Sequence, residues 1–231
     1  SFDNALATLW MAFQPIVNWR SKEIFAYEAL VRTTIPEIPH PGALLEAAER
    51  LGRLQELGRV LRDRVAQAML TNETASFFVN LHSQDLNDEA LYDPYAPLSR
   101  LASRVVLEIT ERASLDDVRD LKGCIRRLRS LGFRVAVDDL GAGYAGLTSF
   151  AHLEPDVVKL DMSLVRGVDG EPVKQRLVTS MTALCRDMGI WVVGEGVETA
   201  AERDTLASLG CEHQQGYLFA RPGKPFPNVA F

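Results

Sequence analysis

Alternation is the feature that most restricts what this chain can become. From about residue 40 onward, short β-rich runs take turns with helical stretches, the sequence sign of repeated βα units around a parallel sheet. Phe77–Leu81, Val105–Thr110, Arg134–Asp139, Val157–Asp161, Trp191–Gly196 and Tyr217–Ala220 read as strands. Pro41–Leu70, Leu115–Leu131, Glu171–Met188 and Thr199–Leu209 read as amphipathic helices. Gly132, Gly189 and Gly210 fall where helix C-caps belong, since glycine enters the left-handed conformation without a steric penalty. Ahead of these units, Ala12–Asn18 and Ile24–Val31 flank a short polar turn around Arg20, Ser21 and Lys22, which predicts a hairpin. The expectation is an α/β fold, a TIM-like (β/α)8 barrel with an antiparallel first strand. At 231 residues it is read as one domain over 1–231, with 1–10 as a linker helix from an upstream regulatory domain.

Composition narrows the function. A net charge of −6 argues against gripping a nucleic-acid polymer, which requires many Lys and Arg on phosphates, but it allows a small anion held through metal ions. Cys124, Cys185 and Cys211 are odd in number and lack CxxC spacing, so neither disulfides nor zinc are indicated and a reducing cytoplasm fits best. His40, His82, His152 and His213 show no ligand spacing and read as structural. No apolar run approaches the roughly 20 residues of a membrane span.

Strand parity brings chemistry-bearing residues together. Side chains two apart share a face, so Val106 pairs with Glu108, Ala136 with Asp138, Val193 with Glu195, Phe78 with Asn80, and Val157 with Lys159 and Asp161. In a barrel these groups converge at the C-terminal mouth. Glu28, Glu108, Asp138, Asp139 and Glu195 would place five acids there, with few bases to match them. Buried charges must be paired or neutralised, and two divalent cations would do so. An all-oxygen set without Cys or His favours Mg2+ or Mn2+, and two such ions suit in-line hydrolysis of a phosphodiester.

The segments Phe13–Val17 and Tyr27–Arg32, the latter containing Glu28-Ala29-Leu30, resemble the opening of EAL-domain phosphodiesterases. They are followed in order by Val79–Leu81, Glu108–Glu111, Asp138–Tyr144, Lys159–Asp161, Glu195–Thr199 and Gln215–Tyr217, so the likeness runs from Phe13 to Pro222. It implies hydrolysis of the bacterial second messenger cyclic di-GMP to linear pGpG. By matching position, Glu28, Asn80, Glu108, Asp138, Asp139 and Glu195 would hold two Mg2+ or Mn2+ ions, directly or through waters. Lys159 would position or deprotonate the attacking water, Glu195 would share in catalysis, and Gln215 would complete the site. Arg32, Gln14 and Asp161 would contact substrate. Glu111 would steady the loop after the paired aspartates, with Glu198 orienting Glu111. The loop Gly141–Ser149 resembles one linking metal occupancy to a dimer interface, which implies a homodimer. Leu140, Ala142 and His82 depart from the usual Phe, Thr and Ser without removing a ligand.

Taken singly, each residue has a bland account. Glu108 and Glu111 suit a helix N-terminus, Asp138-Asp139 before glycine suits a turn, Lys159 suits a surface ion pair, Asn80 suits a cap, and Gln14 suits backbone satisfaction near the hairpin. Those accounts fail jointly, because they need independent accidents on six strands in one order. Two rival functions share the pattern: an inactive EAL domain acting as a cyclic di-GMP receptor, and a barrel aldolase with Lys159 as Schiff-base nucleophile. The mouth acids oppose the second by raising the lysine pKa.

Overall fold

Eight strands close into a barrel in chain order. The computed structural model describes residues 2–110, 115, 118–141 and 146–231. The predicted hairpin is β1 (Trp10–Asn18) and β2 (Glu23–Arg32), turned by Asn18, whose Oδ1 accepts the N–H groups of Arg20 and Ser21 at 3.0 and 3.1 Å. Then follow β3 (Ser76–Asn80), β4 (Val105–Thr110), β5 (Arg134–Leu140), β6 (Val157–Leu160), β7 (Trp191–Gly194) and β8 (His213–Gln214). β1 is antiparallel to both neighbours, β2 and β8, and the remaining pairs are parallel. This is the expected barrel with an antiparallel first strand.

The closing strand is not where β-propensity placed it. Only His213 and Gln214 bridge β7 to β1, while Tyr217–Ala220 turns, with Phe219 and Ala220 N–H bonded to Gly216 O at 3.1 and 3.2 Å. Gly216 sits so close to the preceding loop that an added Cβ would lie 2.0 Å from Val197 O. That approach bends the chain over the mouth and overrides the aromatic, strand-like composition.

The helices are α1 (Phe2–Thr8), α2 (Pro41–Arg50), α3 (Leu54–Met69), α4 (Leu121–Ser130), α5 (Gly146–Leu153), α6 (Met162–Val165), α7 (Pro172–Asp187) and α8 (Ala200–Ser208). The one helix expected over Pro41–Leu70 is two, because Gly52 takes φ +65° and ends α2. α4 starts later than Leu115, at a left-handed Asp120 whose Oδ1 accepts Gly123 N–H at 3.1 Å. The expected loop around Tyr92–Pro97 begins within a 3-10 turn, Glu89–Tyr92. Gly132, Gly189 and Gly210 all have positive φ, as C-caps should. Among the described residues no helix is long and apolar enough to cross a membrane.

Period-two alternation divides the core into shells. Ile16, Ala26, Phe78, Val106, Ala136, Val157 and Val193 fill the barrel interior, one from each of seven strands. Their neighbours, such as Val79, Leu107, Val135 and Val158, face outward to the helices. A separate cluster joins Phe2 and Leu6 of α1 to Leu44 of α2 and Leu54 and Leu57 of α3. Phe78 is the largest residue of the interior plug, so Phe78→Ala should lower unfolding free energy by about 3–5 kcal/mol, read as a reduced urea midpoint.

Candidate active site

One step of two residues toward the mouth turns the apolar plug into a charged layer. The step leads from Ala26 to Glu28, Phe78 to Asn80, Val106 to Glu108, Ala136 to Asp138, Val157 to Lys159 and Val193 to Glu195. On antiparallel β1 the step reverses, from Ile16 back to Gln14, which pairs in register with Glu28. The structure thus brings together all the acids assigned to the mouth.

Lys159 is the centre of this layer. Its side chain is fully buried, and Nζ lies 2.7 Å from Glu108 Oε1, 2.8 Å from Glu195 Oε1, 3.2 Å from Asp138 Oδ1 and 3.3 Å from Glu28 Oε2. Despite these distances, Nζ, both Glu108 oxygens and Asp138 Oδ1 are buried without a well-aligned hydrogen bond. The contact is a charge cage rather than a hydrogen-bonded network. Burial pushes the Glu108 carboxyl well above its usual range, with the charge of Glu28 adding to it. Burial likewise raises Glu195, to about 8, against the attraction of Lys159. For Lys159 burial alone would favour the neutral amine, but Asp138, Glu108, Glu195 and Glu28 together hold the ammonium well above its ordinary pKa.

The paired aspartates reach the mouth through a defect in β5. Strict alternation would send Asp138 and Asp139 to opposite faces. The pairing with β6 instead shifts register between Val137 and Leu140, and Asp139 adopts φ +57°. Such a bulge re-aims a side chain, and aspartate tolerates the left-handed region better than most residues. As a result one carboxylate oxygen from each of Asp138, Asp139 and Glu195 lies within 4.8 Å of the others. Gly141 follows at φ +105°, where a Cβ would meet Leu164 Cδ1 at 2.5 Å.

The residues fit a hard, oxygen-ligated cation pair. Both Glu108 oxygens and Asp138 Oδ1 are buried without an aligned hydrogen bond, and the acids that gather here offer only oxygen. Five mouth acids face one ammonium, so with all of them ionised the surplus would be four negative charges, which two divalent ions would balance.

Amides set the orientation of Glu28. Glu28 accepts from Asn80 Nδ2 at 3.2 Å and from Gln215 Nε2 at 2.7 Å. Gln215 Nε2 also reaches Gln14 Oε1 at 3.1 Å, while Gln14 Nε2 donates to Ala220 O. Gln14 therefore does satisfy backbone, as its bland account held, and also steadies Gln215. Asp161 caps α6 through Ser163 N–H at 2.9 Å and lines a mouth cavity of about 240 Å3 with Glu28, Asp139 and Glu195. Arg32 donates to Val31 O and stands apart from the cage, on a second cavity of about 620 Å3 that also touches Glu28 and Asn80. Glu198 is ion-paired to Arg166. Glu111 and residues 142–145 lie outside the described residues, and the expected loop Gly141–Ser149 ends early, because residues 146–149 are already the first part of α5. His82 caps the 3-10 turn after β3, and Leu140 packs into the outer shell, so neither departure disturbs the cage.

Sequence reasoning missed Arg166, Met162 and Tyr217 as mouth residues and the 620 Å3 cavity walled by Leu44, Leu54 and Leu57. None lies at a strand end with the parity that found the acids, so only the folded chain assembles them.

Comparison with known proteins places these features. The EAL domain family model matches residues 3–222. The cyclic di-GMP phosphodiesterase PdeR of Escherichia coli K12 is 33% identical over 95% of this chain, which spans 34% of PdeR. Among solved structures, BlrP1 of Klebsiella pneumoniae, in a complex with calcium and cyclic di-GMP, superposes with a TM-score of 0.87 at 28% identity, covering 98% of this chain and 59% of BlrP1. A standalone EAL protein from Vibrio cholerae, in its cyclic di-GMP-bound form, gives a TM-score of 0.81 at 31% identity, covering 96% of this chain and 95% of that one.

The raised carboxyls carry a pH signature. A group whose folded pKa is raised stabilises the metal-free fold below the ordinary carboxylate range and loses that contribution as pH rises through about 8, the value for Glu195. The metal-free protein should therefore melt lower at about pH 9 than at about pH 6, and Mn2+ should raise the melting temperature more at the higher pH, where fewer protons compete. A larger Mn2+ effect at the lower pH would show that these carboxylates are not the ligands.

Proposed function

The chain belongs to the EAL-domain family, and from that premise we propose that it hydrolyses cyclic di-GMP to linear pGpG with the help of two divalent cations, Mg2+ or Mn2+. The observation carrying this reading is the cage around buried Lys159, in which five acid side chains face one ammonium. Glu28, Asn80, Glu108, Asp138, Asp139 and Glu195 would hold the ions. Bound there, such ions lower the pKa of a water and offset charge on the phosphoryl and leaving oxygens. Lys159, kept cationic by its neighbours, orients the attacking water rather than removing its proton. Gln215 holds Glu28 in place, Arg32 pairs with a substrate phosphate in its fork geometry, and Gln14 and Asp161 meet the substrate at the mouth. Glu111 steadies the loop after the aspartates, and Glu198 acts behind it.

The presence of every assigned ligand and of the lysine favours turnover over a receptor-only domain. The ammonium of Lys159, held protonated by the surrounding acids, favours hydrolysis over Schiff-base chemistry, which needs a neutral amine. A homodimer is supported by Val173, Leu177 and Leu184 along one face of α7 and by Met188 at its C-cap, exposed by 71%, 49%, 44% and 53%. A single catalytic domain joined to an upstream regulatory domain accords with one closed barrel that spans 34% of PdeR. Three buried free cysteines and bacterial relatives accord with a bacterial cytoplasm.

The direct test is release of pGpG from cyclic di-GMP by this chain with Mg2+ or Mn2+. Tight binding without turnover under both metals would make it a receptor. Glu28→Ala and Asp138→Ala should lose metal binding and turnover together. Lys159→Ala should still bind Mn2+ but hydrolyse roughly 100-fold more slowly or worse; a near-normal rate would remove the lysine from the mechanism.

A further inference from the structure

Glu202, the third residue of α8, stands outside every motif considered above, yet its side chain reaches two mouth loops at once. Its residue is 5% exposed. Oε2 accepts the N–H groups of Glu198 and Thr199 at 2.9 and 3.1 Å, and Thr199 Oγ1 in return accepts Glu202 N–H at 3.1 Å. That much is a capping box, a local device for starting a helix. Oε1 does something a capping box does not require: it accepts the N–H of Gly167 at 2.9 Å, in the connection that follows β6 and α6. Burial opposes the charge of Glu202, but these backbone donors hold its carboxyl below the usual range, so all the bonds are charge-assisted.

The loops joined in this way carry the site. The β7 loop begins at Glu195, and the β6 connection descends from Lys159 and Asp161. The two are fastened again by the Arg166–Glu198 ion pair and packed so tightly that a Cβ on Gly196 would stand 2.7 Å from Met162 Cβ. The β7 loop is stitched onward as well, Val197 N–H to Gln215 O at 3.0 Å and Leu218 N–H to Val197 O at 3.1 Å. Gln215 then grips Glu28. One carboxylate thus anchors a rigid unit that presents Glu195 and, through Gln215, Glu28.

We infer that Glu202 is a positioning residue for the metal centre, holding Glu195 in register with Asp138 and Asp139 by clamping the β6 and β7 loops together. This rests on the two-metal reading above. Partners that orient ligands without touching the ion typically contribute about 10–100-fold to metal affinity.

The test is Mn2+ titration of the purified chain by calorimetry, with thermal unfolding measured alongside. Glu202→Ala should weaken Mn2+ binding by about 10-fold or more. Glu202→Gln, with one oxygen for two loops, should fall between that variant and the parent. Thr199→Ala removes the local cap but leaves the Gly167 link, so it should lose thermal stability while keeping Mn2+ affinity. Equal affinity in Glu202→Ala and the parent, or equal losses in Glu202→Ala and Thr199→Ala, would overturn the positioning role while leaving the two-metal reading intact. Absence of Mn2+ binding by the parent chain would overturn both.

Discussion

A lysine with no exposed surface, held among four carboxylates, is the interaction on which the rest of the site depends. An isolated charge taken out of water loses several kcal/mol of solvation, so a buried acid survives as an anion only beside a cation. One ammonium offsets part of the charge that the strands deliver, and the surplus appears as carboxyls pushed upward and oxygens without donors. The same crowding of acids that is electrostatically unfavourable suits the chemistry of divalent, oxygen-seeking ions. Folding and function therefore pull in different directions at this layer, and the apolar plug beneath it supplies the stability that allows the conflict.

Geometry decides how the charge is used. A regular β5 would present Asp138 alone, and the bulge at Asp139 adds the second carboxylate. Glutamine and asparagine side chains then fix Glu28 by donating to it from two sides. Preorganisation of this kind matters because a side chain already held in place loses less freedom when a partner arrives. The loops after β6 and β7, cross-linked through Glu202 and Arg166, extend the barrel's order to the rim of the mouth.

Much of the fold was legible because periodicities survive in sequence. Alternation of β and helical runs predicted the barrel, and parity predicted which residues lie above the plug: every interior apolar residue named by parity does lie in it. The failures share a cause. The aromatic run Tyr217–Ala220 looked like a strand, but close packing of Gly216 on Val197 turns it, and the true last strand is two polar residues with no pattern of their own. The long helix before β3 read as continuous because one glycine at position 52 interrupts an otherwise unbroken amphipathic stripe. Gln14 and Glu198 were placed by likeness, and their partners, Gln215 and Arg166, are distant in sequence.

The sequence by itself determined the first seven strands in order, the face that Glu108, Asp138 and Glu195 occupy and the likeness to a family, since these follow from spacing along one chain. Tertiary structure decided which carboxylates surround Lys159, how far the pKa of each departs from normal, and that Asp139 turns inward. The physical reason is that desolvation and charge coupling depend on distances across a closed barrel, between residues as far apart in the chain as Glu28 and Gln215, and no local pattern records them.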